Sequence, residues 1–84
     1  MEKGHNSDIH YGGKSFHIQT EDWGFKTPYF VSSIFTGGAL IKSFKTGYEE
    51  VLPTEAFSSQ KAIQLALRVQ HQKILDLLLS GKLL

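Results

Sequence analysis

Ten consecutive residues, Phe16 to Phe25 in the order FHIQTEDWGF, place a histidine, a glutamine, a threonine and two adjacent carboxylates between aromatic side chains. Glu21 and Asp22 are the obvious pair for general acid and base work, because two carboxylates can divide those roles when their environments separate their pKa values. Adjacent strand residues point to opposite faces, so the pair converges on one substrate only if a turn intervenes. A structural explanation serves the stretch better. Asp22 or Thr20 caps the Trp23-Gly24 turn through a side-chain oxygen, and Glu21 faces solvent or a lysine such as Lys42 or Lys45.

The remaining chemistry is thinner. His5, His10, His17 and His71 are of a ligand type common at zinc and copper sites. His10 and His17 are placed to oppose each other across Gly12-Gly13, but no H-E-x-x-H signature accompanies them. Exposed or edge-strand histidines are the simpler reading. The hydroxyls of Ser32, Ser33 and Ser43 have neither a nucleophile elbow nor a local base. Gly12-Gly13-Lys14-Ser15 ends like a P-loop, yet it lacks the upstream glycine and a following helix, and reads as a hairpin turn. No catalytic, cofactor-binding or metal-binding residue is assigned, and no cofactor is expected.

These side chains must be held by strands and one helix. Residues 1–8 are polar and read as a loose leader. Ile9 to Tyr11 form a short strand, Gly12-Gly13 a turn, and Ser15 to Asp22 a second strand alternating Phe16 and Ile18 with His17 and Gln19. Trp23 to Pro28 is a loop with two large aromatics, Trp23 and Phe25. Tyr29 to Thr36 and Ala39 to Tyr48 flank Gly37-Gly38, whose two central residues suit the primed turns that match strand twist.

A two-residue turn there sets a register in which Thr36 faces Ala39, Ile34 faces Ile41 and Tyr29 faces Thr46. One face then carries Tyr29, Val31, Phe35, Leu40 and Phe44 and is expected to be the core. The other carries Phe30, Ile34 and Ile41. Pro53-Thr54, or Ser58-Ser59 a turn later, supplies helix-start chemistry, and one long helix is expected over residues 54–80. Ile63, Ala66, Leu67, Gln70, Ile74, Leu77 and Leu78 make its apolar stripe, while Leu65, Val69 and Leu79 form a weaker flank interrupted by Gln72 and Asp76. Gly81 is placed to stop the helix. The sum is a single α+β domain: a small antiparallel sheet of three to four strands against one C-terminal helix.

The strings FHIQTEDWG and PYFVSSIFTGG, with Lys45-Thr46-Gly47-Tyr48 after them, resemble a family of small bacterial proteins and domains of unknown function. In that family a strand ending Gln-Thr-Glu-Asp precedes a Gly-Gly hairpin and a C-terminal helix. The resemblance spans roughly residues 9–80 and implies the same order of elements. This chain has Ser32-Ser33 where the family carries a Thr-His pair in the middle strand. The resemblance assigns no functional residue.

Composition narrows the function classes. In 84 residues, 40% of them apolar, there is room for one domain near the size at which folding alone becomes marginal. The absence of cysteine excludes disulfides and thiolate metal sites, is compatible with a reducing, cytoplasmic setting, and shifts weight toward self-association. No stretch approaches a membrane span. Nine Lys and Arg against eight Asp and Glu give a net charge of +1, which is not the footprint of a nucleic-acid binder.

One helix cannot cover two sheet faces and its own flank. The expected function is therefore a non-enzymatic protein-interaction module, a homodimer or a partner of another protein. Its contact surface is drawn from Phe30, Ile34 and Ile41 on the sheet or Leu65, Val69 and Leu79 on the helix. The alternative is a small ligand or single-stranded nucleic acid bound on the sheet, with Phe30, Lys42 and Lys45 as its best local case.

Overall fold

Two Gly-Gly pairs set the sheet. Gly12 and Gly13 have φ of 60° and 78°, and Gly37 and Gly38 have φ of 57° and 82°. Left-handed dihedrals at both central positions are what a type I′ hairpin requires and what residues with a Cβ resist. The computed structural model describes residues 4–24 and 26–82. Strands β1 (Gly4–Tyr11), β2 (Lys14–Asp22), β3 (Tyr29–Thr36) and β4 (Ala39–Gly47) form one antiparallel sheet in the order β1-β2-β3-β4. A short helix α1 (Tyr48–Val51), a 3-10 turn (Thr54–Ala56) and the long helix α2 (Gln60–Leu79) follow.

The α+β architecture is the one expected from the sequence, with four local differences. First, Gly4 to Asp8 are not leader but the start of β1, paired with β2 from Gly4 opposite Glu21. These polar residues enter the sheet because β2 offers a nine-residue ladder. Residues 1–3 of the supposed leader lie outside the described residues, as do Phe25 of the expected aromatic loop and the trailing Leu83 and Leu84.

Second, β3 and β4 pair as expected only next to the turn, with Thr36 opposite Ala39 and Phe35 opposite Leu40. A bulge then intervenes between Ile34 and Phe35, so Ile34 opposes Lys42 and Tyr29 opposes Gly47. One extra residue reverses the facing of everything beyond it. Phe44 and Thr46 therefore share a face with Ser32 and Phe30, not with Val31.

Third, the core lies on the face opposite to the one expected. Phe30 and Ile34 are fully buried, together with Phe16, Ile18, Leu67, Ile74 and Leu78, whereas Leu40 is exposed. Ile34 is opposite Ile18 in β2, and Ile18 in turn lies two residues from Phe16, so the β2 residues decide which side the helix covers. Considering the β3-β4 hairpin alone hides that contribution. Phe30 and Ile34 thus lie under α2 and are not available as a contact surface.

Fourth, the long helix begins at Gln60, at the later of the two expected starts, Ser58-Ser59, and not near Thr54. The Ser59 hydroxyl accepts from the Ala62 amide at 3.2 Å, the N-cap arrangement, while Pro53 to Ala56 make only the 3-10 turn. α2 ends as expected: Gly81 takes φ of 76°, and the amides of Gly81 and Lys82 return to the carbonyls of Leu78 and Leu77. Its buried side is Ala66, Leu67, Gln70, His71, Ile74 and Leu78, the expected stripe with His71 added.

Candidate functional site

Three groups of side chains have the chemistry to matter, and the sheet separates them. The first lies beneath α2. β1, β2 and β3 turn Ser7, Thr20 and Ser32 toward the helix, and α2 lowers His71 among them. His71 Nε2 is 2.8 Å from Ser7 Oγ, and its Nδ1 is 2.7 Å from Thr20 Oγ1, which is 2.8 Å from Ser32 Oγ. Either neutral tautomer satisfies the cluster. If Nδ1 carries the proton, Thr20 accepts it and donates to Ser32 while Ser7 donates to Nε2; if Nε2 carries it, every donor reverses. The His5 ring stands 5.8 Å from that of His71. Burial first, and His5 second, hold His71 below the ordinary histidine pKa.

Ser7 and His71 stand at the separation of a nucleophile and its general base. The group behind the imidazole is the Thr20 hydroxyl, which cannot stabilise an imidazolium as a carboxylate does. Thr20 and Ser32 are fully buried and His71 nearly so. What this cluster does chemically is join the helix to three strands with hydrogen bonds inside the core. Beside it, the Gln70 amide donates to Thr46 Oγ1 at 3.1 Å and ties α2 to β4.

The second group ends β2. Asp22 accepts from the Gly24 amide at 3.0 Å, the turn-capping bond expected of it, and also from the Tyr48 hydroxyl. Thr20 has no part in the turn. The Tyr48 ring stacks on Phe30 and meets Phe57 edge-on, with centroids 4.9 and 5.5 Å away. Burial, then the bond to Asp22, then the Asp22 charge push the Tyr48 hydroxyl well above the ordinary tyrosine pKa. Glu21 points to the other face and is exposed, so the two carboxylates diverge as strand geometry demands.

The third group lies on the sheet face that no described helix covers. Asp8, His17, Phe35 and Leu40 follow one another across the four strands, and Glu21, Val31 and Lys45 across three. His17 Nδ1 is 2.9 Å from Asp8 Oδ1, and the His17 ring is 6.2 Å from that of Phe35. These residues border a shallow depression of about 400 Å³ that runs to the Gly37-Gly38 turn. At the other end the Lys45 amine lies 4.3 Å from the Tyr29 ring centroid and 5.5 Å from that of Trp23, within cation–π range of both. Lys42 lies on the opposite, helix-facing side, and Phe30 is in the core, so the trio Phe30, Lys42 and Lys45 does not share a surface.

His10 and His17 do not converge. His10 pairs with Ser15 and His17 with Asp8, so they do not oppose each other across the turn. Among the described residues no group of three or more His, Cys, Asp or Glu is arranged to hold a metal ion.

Of the six residues expected to form an interaction surface, four are exposed: Ile41, Leu65, Val69 and Leu79. The α2 flank meets Val51 and Leu52 across a cleft of about 240 Å³ lined also by Ala62 and Ala66. α1 is not predicted from the sequence pattern above, although Glu49-Glu50 before Val51 is the acidic first turn that signals a helix start. The Glu50 carboxylate accepts from the Gly47 amide at 2.7 Å. No described helix is long and apolar enough to cross a membrane. Comparison with family models, with curated proteins and with solved structures returns no match.

Proposed function

We propose that this chain is a non-enzymatic protein-interaction module that pairs with a second copy of itself through the outward flank of α2. The observation that carries the reading is the surface joining Leu65 and Val69, which are 60% and 61% exposed, to the cleft beside Val51 and Leu52. Projecting side chains beside a recess make a self-complementary patch, since a two-fold axis brings the projections of each copy to the recess of the other. Ala62, Leu65, Val69, Gln72, Asp76 and Leu79 recur at intervals of three and four, the spacing of a helix-pair seam. Gln72 donates to Asp76 at 2.9 Å and makes a polar interruption in that seam between Val69 and Leu79. The β4 edge is a poorer contact, because Lys42, Lys45 and the bulge are devices that discourage strand addition.

Light scattering at rising concentration tests the reading. A dimer that Leu65→Lys and Val69→Lys each return to monomer supports it, and a monomer at about millimolar concentration sinks it. Kinship with the small bacterial family that shares the Gln-Thr-Glu-Asp strand end and the Gly-Gly hairpin belongs to the same proposal, as does a reducing, cytoplasmic setting, which the cysteine-free composition supports.

A second reading places a small ligand or single-stranded nucleic acid on the uncovered sheet face. It is favoured by one arrangement, the half-exposed Trp23 ring beside Lys45 and Tyr29, since exposed rings next to a cation suit stacked bases. Trp23 is the chain's single tryptophan, so its fluorescence reports directly. Salt-sensitive quenching by an oligonucleotide supports this reading, and unchanged emission rejects it.

A further inference from the structure

The N-terminal half of β1 is held to the helix in an unusual way. Its inward residues are His5 and Ser7, both polar, and the apolar inward residues Ile9 and Tyr11 come only later in the strand. Toward α2, Ser7 on this half is bonded to His71, and the His5 ring stands 5.8 Å from that of His71. Toward β2 it is the ladder from Gly4 to Ser7, where Gly4 approaches so closely that a Cβ would lie 2.9 Å from the Thr20 carbonyl oxygen. α2 itself is anchored by Leu67, Ile74 and Leu78, all 2% exposed or less. If the contact fails, the strand end yields before the helix does.

We propose that His5 and His71 form an acid-operated latch, in which protonation of both rings detaches the Gly4–Ser7 end of β1 from α2 and uncovers the edge of β2 beneath it. Hydrogen bonding does not resist the proton, because an imidazolium can donate to both Ser7 and Thr20. What resists it is a charge placed in the core beside a second charge.

Among the described residues, the groups facing His71 from each neighbouring element offer that charge no carboxylate that is not already engaged. β1 contributes His5. β2 contributes Asp22, two positions beyond Thr20, whose carboxylate already takes the Tyr48 hydroxyl and the Gly24 amide. β3 contributes Phe30, Ser32 and Ile34 on that side, none of them titratable, and β4 contributes Lys42, opposite Ile34, which brings no negative charge. α2 carries exposed Arg68 one turn before His71.

His71 in the fold takes its proton less readily than in the unfolded chain, so its stabilising contribution is full above the ordinary histidine pKa of 6.5 and is lost as the pH falls below it. The consequence is local opening. The backbone edge freed on β2 over Ile18–Glu21 is a template on which an extended segment can pair, so the latch would gate a strand edge and not the whole fold.

Amide hydrogen exchange on the full chain at about pH 7.5 and about pH 5, corrected for intrinsic rates, tests this. The expected result is a loss of protection of about tenfold or more in acid at those amides between Gly4 and Ser7 that bond to β2, while Leu67 to Ile74 in α2 stay protected. His5→Gln, which removes the repulsion, should recover most of that protection, and the ring resonances of His71 should titrate below the ordinary histidine value. Equal protection of β1 at both pH values overturns the latch. So does an acid loss that spreads evenly over β1 and α2 and persists in His5→Gln.

Discussion

The Tyr48 hydroxyl donates to the same Asp22 oxygen that accepts from the Gly24 amide, so a single carboxylate fixes both the turn after β2 and the first residue of α1. The aromatic stack of Tyr48 on Phe30 then carries that anchor into the core. Tyr48→Phe keeps the ring and removes the donor. It should cost about 1.5–3 kcal/mol, the range for a hydrogen bond to a charged group, since Asp22 keeps the Gly24 amide as a partner. Denaturant unfolding measures this, and an unchanged midpoint would remove Asp22–Tyr48 from the account of stability.

The same contact fixes an alkaline response. Tyr48 holds its proton above the ordinary value of 10.0 in the fold, so the stability it supplies is present below that value and declines as the pH rises past it. Tyr48 should ionise only as the protein unfolds. Ultraviolet difference spectra followed beside circular dichroism check this: phenolate from all three tyrosines with the fold intact contradicts it.

Which sheet face is the core is also open to direct test. Ile34→Ala removes a fully buried side chain between Ile18 and the helix and should cost about 2–5 kcal/mol. Leu40→Ala, at a position 57% exposed, should cost less than about 0.5 kcal/mol. Thermal or denaturant unfolding of the two variants ranks them, and the reverse order would restore the face that the simple hairpin register implies.

That contrast marks the limit of what was legible in the chain. The two Gly-Gly turns, the four-strand order from Ile9 onward and the α2 stripe follow from local chemistry, because positive-φ glycines and three-four spacing act within a few residues. The bulge between Ile34 and Phe35 leaves no such local mark. A two-residue turn predicts a continuous ladder, and only the match of Ile34 with Ile18 across β2 shows why the slip is favourable: it brings Phe44 round to the covered side.

The polar core was hidden for a related reason. Thr20, Ser32 and His71 read as surface or turn residues because alternation equates polar with solvent, yet each supplies the partner the others need. Their distances in sequence, 12 and 51 residues, put the match beyond any window of local pattern. Asp22, by contrast, caps a turn two residues away and was foreseeable from its type alone.

The hydroxyl chain under α2 should therefore show coupling with a definite sign. Thr20→Val keeps the shape but leaves both His71 Nδ1 and Ser32 Oγ without their shared partner, so it should cost about 1–3 kcal/mol. Ser32→Ala alone should cost less, because Thr20 still has His71. In the double variant the Ser32 orphan no longer exists, so the combined loss should fall below the sum of the two single losses by about 0.5 kcal/mol or more. A double-mutant cycle from denaturant unfolding reads this difference. Strict additivity would mean that Thr20 and Ser32 find other partners when separated, and that the fold relies on the shape of these side chains more than on the bond between them.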